Sequence, residues 1–313
     1  MAPGGARRYQ EGFPNRSSCA SGARQPRVVM SAVDNPLVSA EWLHEHLGEP
    51  QLRVLDCTWF LPGDPRDPRA EFEAAHIPGA RFFDIDAIAD PANPLPHMVP
   101  SPEAFAVAVE QLGISDGDTV VAYNGGELVS APRAWWMFRL FGHNRVFVLD
   151  GGLKAWTAED RPLEHGPAPG ALMGRFTPQL ELPLLRRLED VGAALDGGAE
   201  QVVDARPAVR FRGESPEPRP GVRAGHMPGA VNLPAQALLT PEGTFLPPEA
   251  LARVFAEAGV DVSRPVVTSC GSGISACTVN LALARLGHWL TAVYDGSWSE
   301  WGSRKDTPVV TGP

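Results

Sequence analysis

At 313 residues the chain exceeds a typical domain of about 100–200 residues, so two globular units are expected, each burying its own core. The hydrophobic fraction is 43%, but no window reaches the ~18 unbroken apolar residues of a membrane-spanning helix. The formal net charge of -10 excludes a general nucleic-acid binder, which needs a basic face to neutralise phosphates.

In chain order, residues 1–34 come first, with Arg7, Arg8, Arg16, Arg24 and Arg27 against the single acid Glu11. Lacking the apolar core of a secretory signal, this leader reads as a disordered extension or as sequence upstream of a start at Met30, with an organellar transit peptide as the alternative. Residues 35–160 form the first half. Leu52 to Asp56 and Thr119 to Ala122 have the pattern of buried strands, and residues 102–112 that of a helix opened by Pro-Glu and closed by Gly113. Residues 161–183 are rich in Pro and Gly without a clear period and read as a linker. In the second half, 184–313, strands are expected at 201–204 and 265–268, and helices at 248–258, closed by Gly259, and at 274–286.

The two halves repeat each other. His76-Ile77-Pro78-Gly79-Ala80 returns as His226-Met227-Pro228-Gly229-Ala230, and Pro102-Glu103-Ala104 as Pro248-Glu249-Ala250. Val120-Val121-Ala122-Tyr123-Asn124-Gly125 aligns with Val266-Val267-Thr268-Ser269-Cys270-Gly271, and Asp150-Gly151-Gly152 with Asp295-Gly296-Ser297. Four landmarks in one order, at offsets of 145 to 150, imply one fold used twice. Short apolar runs alternating with amphipathic helices make that fold α/β, a mainly parallel sheet flanked by helices.

Four cysteines, Cys19, Cys57, Cys270 and Cys277, are too few and too irregularly spaced for a disulfide framework, and no pair forms a Cys-x-x-Cys metal knuckle. They point to a reducing, cytoplasmic setting in which reactivity matters. Cys270 lies on the loop between a strand and a helix, where successive N–H groups and the positive end of the helix dipole converge. Gly271 and Gly273 let the backbone wrap tightly, and a cysteine so placed is expected to have a depressed pKa and to act as a nucleophile. Cysteine phosphatases use a similar loop but require an arginine six positions after the cysteine, where Ala276 stands, so that class is rejected. Cys277, two turns into the helix, is read as a packing residue, and Cys57 and Cys19 receive no role.

The repeat, the paired His-x-Pro-Gly-Ala motifs, the Cys270 loop and the ending Asp295-Gly296-Ser297-Trp298-Ser299-Glu300-Trp301 together resemble the tandem rhodanese-domain sulfurtransferases, over about residues 35 to 305. In that family the second domain is catalytic and the first a degenerate copy, consistent with Asn124 opposite Cys270. The resemblance implies two rhodanese-like domains and sulfur transfer through a persulfide on Cys270, with no metal or organic cofactor. The loop Cys270-Gly271-Ser272-Gly273-Ile274-Ser275 resembles the 3-mercaptopyruvate branch, whereas the thiosulfate branch carries basic residues after the cysteine; Ile274 and Ser275 stand where the family more often shows Val and Thr.

By the same resemblance, Arg210 and Arg219 grip the substrate carboxylate and keto oxygen, and Arg206 and Arg212 are structural. The loop residues Gly271, Gly273, Ile274 and Ser275 line the substrate, and Ser272 hydrogen-bonds the thiolate or the departing group. His76 and Asp67 are expected to assist Ser272 across the domain cleft, although His76 also belongs to the structural motif it shares with His226. The implied donor is 3-mercaptopyruvate, and the implied acceptors are thioredoxin-like proteins, small thiols and cyanide. A thiosulfate enzyme and a non-catalytic sulfur-carrier or binding protein remain open alternatives.

Overall fold

The computed structural model describes Met1 and residues 35–126, 129–168 and 170–313; the leader, with Cys19 and Met30, lies outside them. The first half runs β1 (Leu37–Val38), α1 (Ala40–His46), β2 (Leu52–Asp56), α2 (Pro68–Ala74), β3 (Arg81–Phe82), α3 (Pro102–Gln111), β4 (Thr119–Tyr123), α4 (Ala131–Leu140), β5 (Val146–Leu149) and α5 (Gly152–Ala158). The second runs β6 (Leu185–Arg186), α6 (Leu188–Gly197), β7 (Gln201–Asp204), α7 (Ala208–Phe211), β8 (Val231–Asn232), α8 (Pro248–Glu257), β9 (Val266–Ser269), α9 (Ile274–Arg285), β10 (Ala292–Tyr294) and α10 (Ser297–Trp301).

Each half contains a five-stranded parallel sheet, ordered β1-β5-β4-β2-β3 in the first and β6-β10-β9-β7-β8 in the second, which is the same permutation twice. The central strands are covered on both faces, which is why β4 and β9 are buried throughout, with paired valines at Val120-Val121 and Val266-Val267. Helix boundaries follow local chemistry. Ser101 accepts the Ala104 N–H at 3.2 Å and Pro102 fills the first turn of α3, while Gly113, at a φ of +77°, ends it. Between α5 and β6 the described residues form no helix or strand beyond a bridge from Glu164 to His76 and a single turn at Leu182–Leu184.

The halves meet along α4 and α9, which pack directly on each other. Neither helix has a solvent face: every residue of α4 is buried, and so are ten of the twelve residues of α9. Trp135, Trp136 and Phe138 on α4 share one continuous core with Leu281 and Leu283 on α9. At about 1.5–3 kcal/mol for each large apolar side chain buried, this seam fixes the relation between the two sheets, and hence between any group of one half and the Cys270 loop of the other.

Candidate active site

Cys270 follows β9 directly, and α9 begins four residues later behind Gly273, whose φ is +81°. A Cβ at Gly273 would lie 2.8 Å from Arg133 Nη1 and 3.1 Å from Asp295 O, so only glycine fits there. The N–H groups of Gly271 through Ser275 are taken up by no described carbonyl or side chain. They form a cradle at the N-terminus of a twelve-residue helix, suited to an anion on the sulfur. Ile274 is buried in the core and contributes only its backbone to this cradle, while Ser275 borders the cleft between the halves beside Val129 and Pro207.

Three residues after β10 hold the loop from its own half. The Cys270 N–H donates to Ser297 Oγ at 3.2 Å, and Ser297 Oγ donates to Tyr294 O at 2.8 Å. The Trp298 N–H donates to Cys270 O at 2.9 Å, and the Ser299 N–H and Oγ donate to Gly271 O at 2.8 and 2.6 Å. Cys277 is fully buried, its thiol donating to Gly273 O at 3.1 Å, and burial pushes that thiol up despite nearby Arg133. Cys57, also fully buried, is pushed well up by burial and by Asp56.

Arg210, at the end of α7, approaches the loop so closely that a Cβ on Gly271 would sit 3.2 Å from its Nη2. It is held by Glu217, through Nη2 to Oε2 and Nε to Oε1 at 3.4 Å. Glu217 also accepts from Arg206 Nη1 at 2.8 Å. Arg206 is consumed by structure, its Nε and Nη2 on Asp204 Oδ2 at 3.0 and 2.7 Å and its plane 4.3 Å from the Trp298 ring. Arg212 pairs with exposed Glu214. Half-buried Arg219 makes no hydrogen bond or ion pair with any described residue. Burial lowers its pKa, opposed by the charge of Cys270 and reinforced by that of Arg210.

The structure does not bring His76 and Asp67 to Ser272. His76 is a packing residue of its own half: Nδ1 donates to Phe72 O at 2.8 Å, the ring stacks on Phe72 at 4.1 Å, and Nε2 faces Glu164 at 3.8 Å. His226 repeats this with Phe211 O at 2.9 Å and the Phe211 ring at 3.7 Å, so the shared motif serves the fold in both copies. Asp67 caps α2, accepting the N–H groups of Arg69 and Ala70 at 2.9 and 3.2 Å, a task that occupies its carboxylate locally.

The histidine that reaches Ser272 is His97. Its Nδ1 lies 3.0 Å from Ser272 Oγ and 3.2 Å from Ser272 O, and its Nε2 lies 2.9 Å from Asp86 Oδ1. Trp59 Nε1 donates to Asp86 Oδ2 at 3.1 Å, and the Trp59 ring meets the His97 ring edge-on at 5.0 Å. The hydrogen bond from His97, helped by Trp59 and Arg219, holds the Asp86 carboxyl below its ordinary range against the effect of burial. Asp86, His97 and Ser272 thus form a continuous chain from solvent to the Cys270 loop.

Sequence reasoning missed Asp86 and His97, yet the repeat contains a signal for His97. At an offset of 146, His97 falls opposite Gly243; at 145, Ser297 falls opposite Gly152. All four have positive φ: +61° and +50° for His97 and Ser297, +90° and +56° for Gly243 and Gly152. A bulky residue in left-handed backbone, where the sister copy uses glycine, marks a side chain retained for a purpose.

The model of the rhodanese-like domain matches this chain twice, at residues 39–159 and 187–304. The chain belongs to the rhodanese-like family. Among relatives, the 3-mercaptopyruvate sulfurtransferase of Rattus norvegicus is 47% identical over 274 residues, covering 86% of this chain and 92% of its own. The thiosulfate sulfurtransferase of Gallus gallus is 43% identical over 279 residues, covering 87% and 95%. The crystal structure of SseA, a 3-mercaptopyruvate sulfotransferase of Escherichia coli, matches with a TM-score of 0.78 at 41% identity, covering 84% of this chain and 99% of that one. With relatives of this kind along most of its length, this rhodanese-like protein is a sulfurtransferase.

Proposed function

We propose that the protein takes sulfur from 3-mercaptopyruvate onto Cys270, releases pyruvate, and passes the sulfur to a thiol or to cyanide. The observation that carries this reading is where the positive charge lies. The loop itself is neutral, Cys270-Gly271-Ser272-Gly273, while Arg210 stands against it and Arg219 interacts electrostatically with Cys270 and makes no ion pair with any described residue. A donor whose charge sits on a carboxylate away from its sulfur suits that layout, because a guanidinium pairs with carboxylate in a planar, two-pronged fashion. Thiosulfate, with its charge next to the transferred sulfur, calls for cations on the loop.

In the first step the Cys270 thiolate attacks the donor sulfur and an S–S bond forms as the C–S bond breaks. The bonding pair stays on carbon as the pyruvate enolate, stabilised by the two arginines, and a proton returns to that carbon to give pyruvate. Ser272, hydrogen-bonded to His97 and through it to Asp86, is positioned to relay that proton. The persulfide rests in the N–H cradle of Gly271 to Ser275. In the second step an acceptor thiolate attacks the outer sulfur and Cys270 leaves as thiolate; cyanide in that role gives thiocyanate.

The acceptor class we favour is a reduced dithiol of the thioredoxin type or a small thiol in the cytoplasm, consistent with free Cys57, Cys270 and Cys277. Among the described residues no helix is long and apolar enough to cross a membrane. The test is a paired assay of pyruvate and thiocyanate formation with each donor. The expected result is a higher kcat/KM with 3-mercaptopyruvate; a higher value with thiosulfate would overturn the donor assignment.

A further inference from the structure

Arg133 belongs to the half without the nucleophile and plays no part in the chemistry above, yet its side chain is 0% exposed. From the start of α4 it crosses to the other half. Its Nη1 lies 2.8 Å from Asp295 Oδ1 and donates to Gly273 O at 3.3 Å, its Nη2 donates to His97 O, and its plane lies 4.7 Å from the Trp136 ring. Asp295 in turn accepts the Val99 N–H on Oδ2 at 2.7 Å. One ion pair therefore grips residues 97 and 99 from both sides while touching the carbonyl that ends the Cys270 loop.

We infer that Arg133, paired with Asp295, is a positioning residue that holds His97 in register with Ser272 across the two halves. The inference rests on the reading that His97 serves Ser272. The need for such a clamp is visible in the backbone, since His97 sits at a φ of +61°, a conformation that persists only where surrounding contacts impose it.

The sister crossing supplies an internal control. There Asp150 accepts the Phe245 N–H at 2.8 Å, as Asp295 accepts that of Val99, so both aspartates hold the strap from the opposite half. The arginine differs. Asp150 is faced by Arg285 at 3.7 Å, from the far end of α9 and partly exposed, and the left-handed strap position is Gly243, which needs no enforcement. The position opposite Arg133 in α9 is Val279. Holding a strap thus requires only the aspartate, and the buried arginine on two backbone carbonyls occurs where a histidine must be aimed.

The test is a kinetic cycle with 3-mercaptopyruvate on the full chain, using Arg133→Lys, Arg133→Met/Asp295→Asn, His97→Ala and the combination of all three neutral changes. The paired change to Met and Asn avoids leaving one buried charge alone, and Arg133→Lys keeps the charge but not the fork, so one folded variant is expected in any case, checked by circular dichroism. We expect kcat to fall about 100-fold in Arg133→Met/Asp295→Asn, the scale of a small misplacement of a catalytic group, with KM changed less than about twofold. Arg133→Lys should recover only part of that loss. In the His97→Ala background, removing the clamp should lower kcat by less than about threefold further, because its effect runs through His97. A folded clamp variant with parental kcat beside a slow His97→Ala overturns the positioning role alone, as does a full second loss in the His97→Ala background. Parental kcat in His97→Ala overturns the relay reading and the inference with it.

Discussion

At the end of β4, Asn124 folds its side chain back on its own loop, donating to Gly126 O at 3.0 Å and accepting the Ala131 N–H at 3.4 Å. At the end of β9, the Cys270 side chain makes no such bond with any described residue, and the backbone is held from outside by Ser297, Ser299 and Arg133. The contrast extends outward. Thr58 follows Asp56 in the first half where Arg206 follows Asp204 in the second, and Gly152 and Gly243 stand opposite Ser297 and His97. A Cβ on Gly152 would lie 2.3 Å from Asn124 O, so the first loop has no room for a side chain where the second keeps a serine. A nucleophile is the smallest part of the difference. What separates the copies is a surrounding shell drawn from both halves, and the first half has become a supplier of side chains to the second.

The largest expected effect tests that statement directly. Cys270→Ser should lower turnover by at least about 10⁴-fold and abolish the gain of one sulfur atom in intact mass after donor treatment. Moving the nucleophile, in Asn124→Cys/Cys270→Ser, should restore neither. Turnover from the relocated cysteine would mean that loop position alone makes a copy catalytic.

Arg219→Ala probes the cationic side of the shell. Loss of a charged contact made to the substrate costs about 1.5–3 kcal/mol, a fall of about 10- to 100-fold in kcat/KM for 3-mercaptopyruvate. Because Arg219 makes no hydrogen bond or ion pair with any described residue, its removal should leave the melting temperature within about 1 °C of the parent. An unchanged kcat/KM would remove it from the site.

Asp86 gives a smaller, pH-dependent signature. Its folded pKa lies below the ordinary 3.8 because it accepts from His97, so its stabilising effect is present above that value and fades as pH falls through the folded pKa. Asp86→Asn should therefore be less stable than the parent at pH 7, with the difference closing below pH 3.8 in urea titrations. The carboxylate is 64% exposed, which keeps the effect small. A difference that widens in acid would contradict the assigned sign.

The halves, their parallel sheets and the Cys270 loop were legible in the sequence because they depend on local rules: buried strands as apolar runs, helices bounded by Pro-Glu and glycine, and landmarks repeated in order. His97 and Asp86 were not read because their significance lies in the contact that His97, backed by Asp86, makes with Ser272 of the other half, which no local pattern encodes. His76 attracted the assignment through a visible motif, but a motif present in both copies, only one of which has the cysteine loop, is better explained by what the copies share. Its stacking on Phe72, matched by His226 on Phe211, is that shared need. Arg133 was hidden for another reason: in Ala131-Pro132-Arg133-Ala134-Trp135-Trp136 it looks like the polar edge of a helix, and only the packing shows that the helix has none.

The smallest expected effect bears on what the catalytic strap sustains. Gly243 has a φ of +90° and nothing within 4 Å of a Cβ added to it, so Gly243→Ala isolates the backbone penalty from any clash. A side chain in left-handed backbone costs about 1 kcal/mol, equivalent to a melting temperature about 2–4 °C lower in a chain of this size. Turnover should not change, since Gly243 faces the loop of Asn124. His97 bears the same kind of penalty at the equivalent point, offset by the grip of Arg133 and Asp295 and by its bonds to Ser272 and Asp86. If Gly243→Ala proved neutral in stability, left-handed backbone at this strap position would be costless. His97 would then need no clamp, and the contrast between the two crossings would come down to the histidine side chain alone.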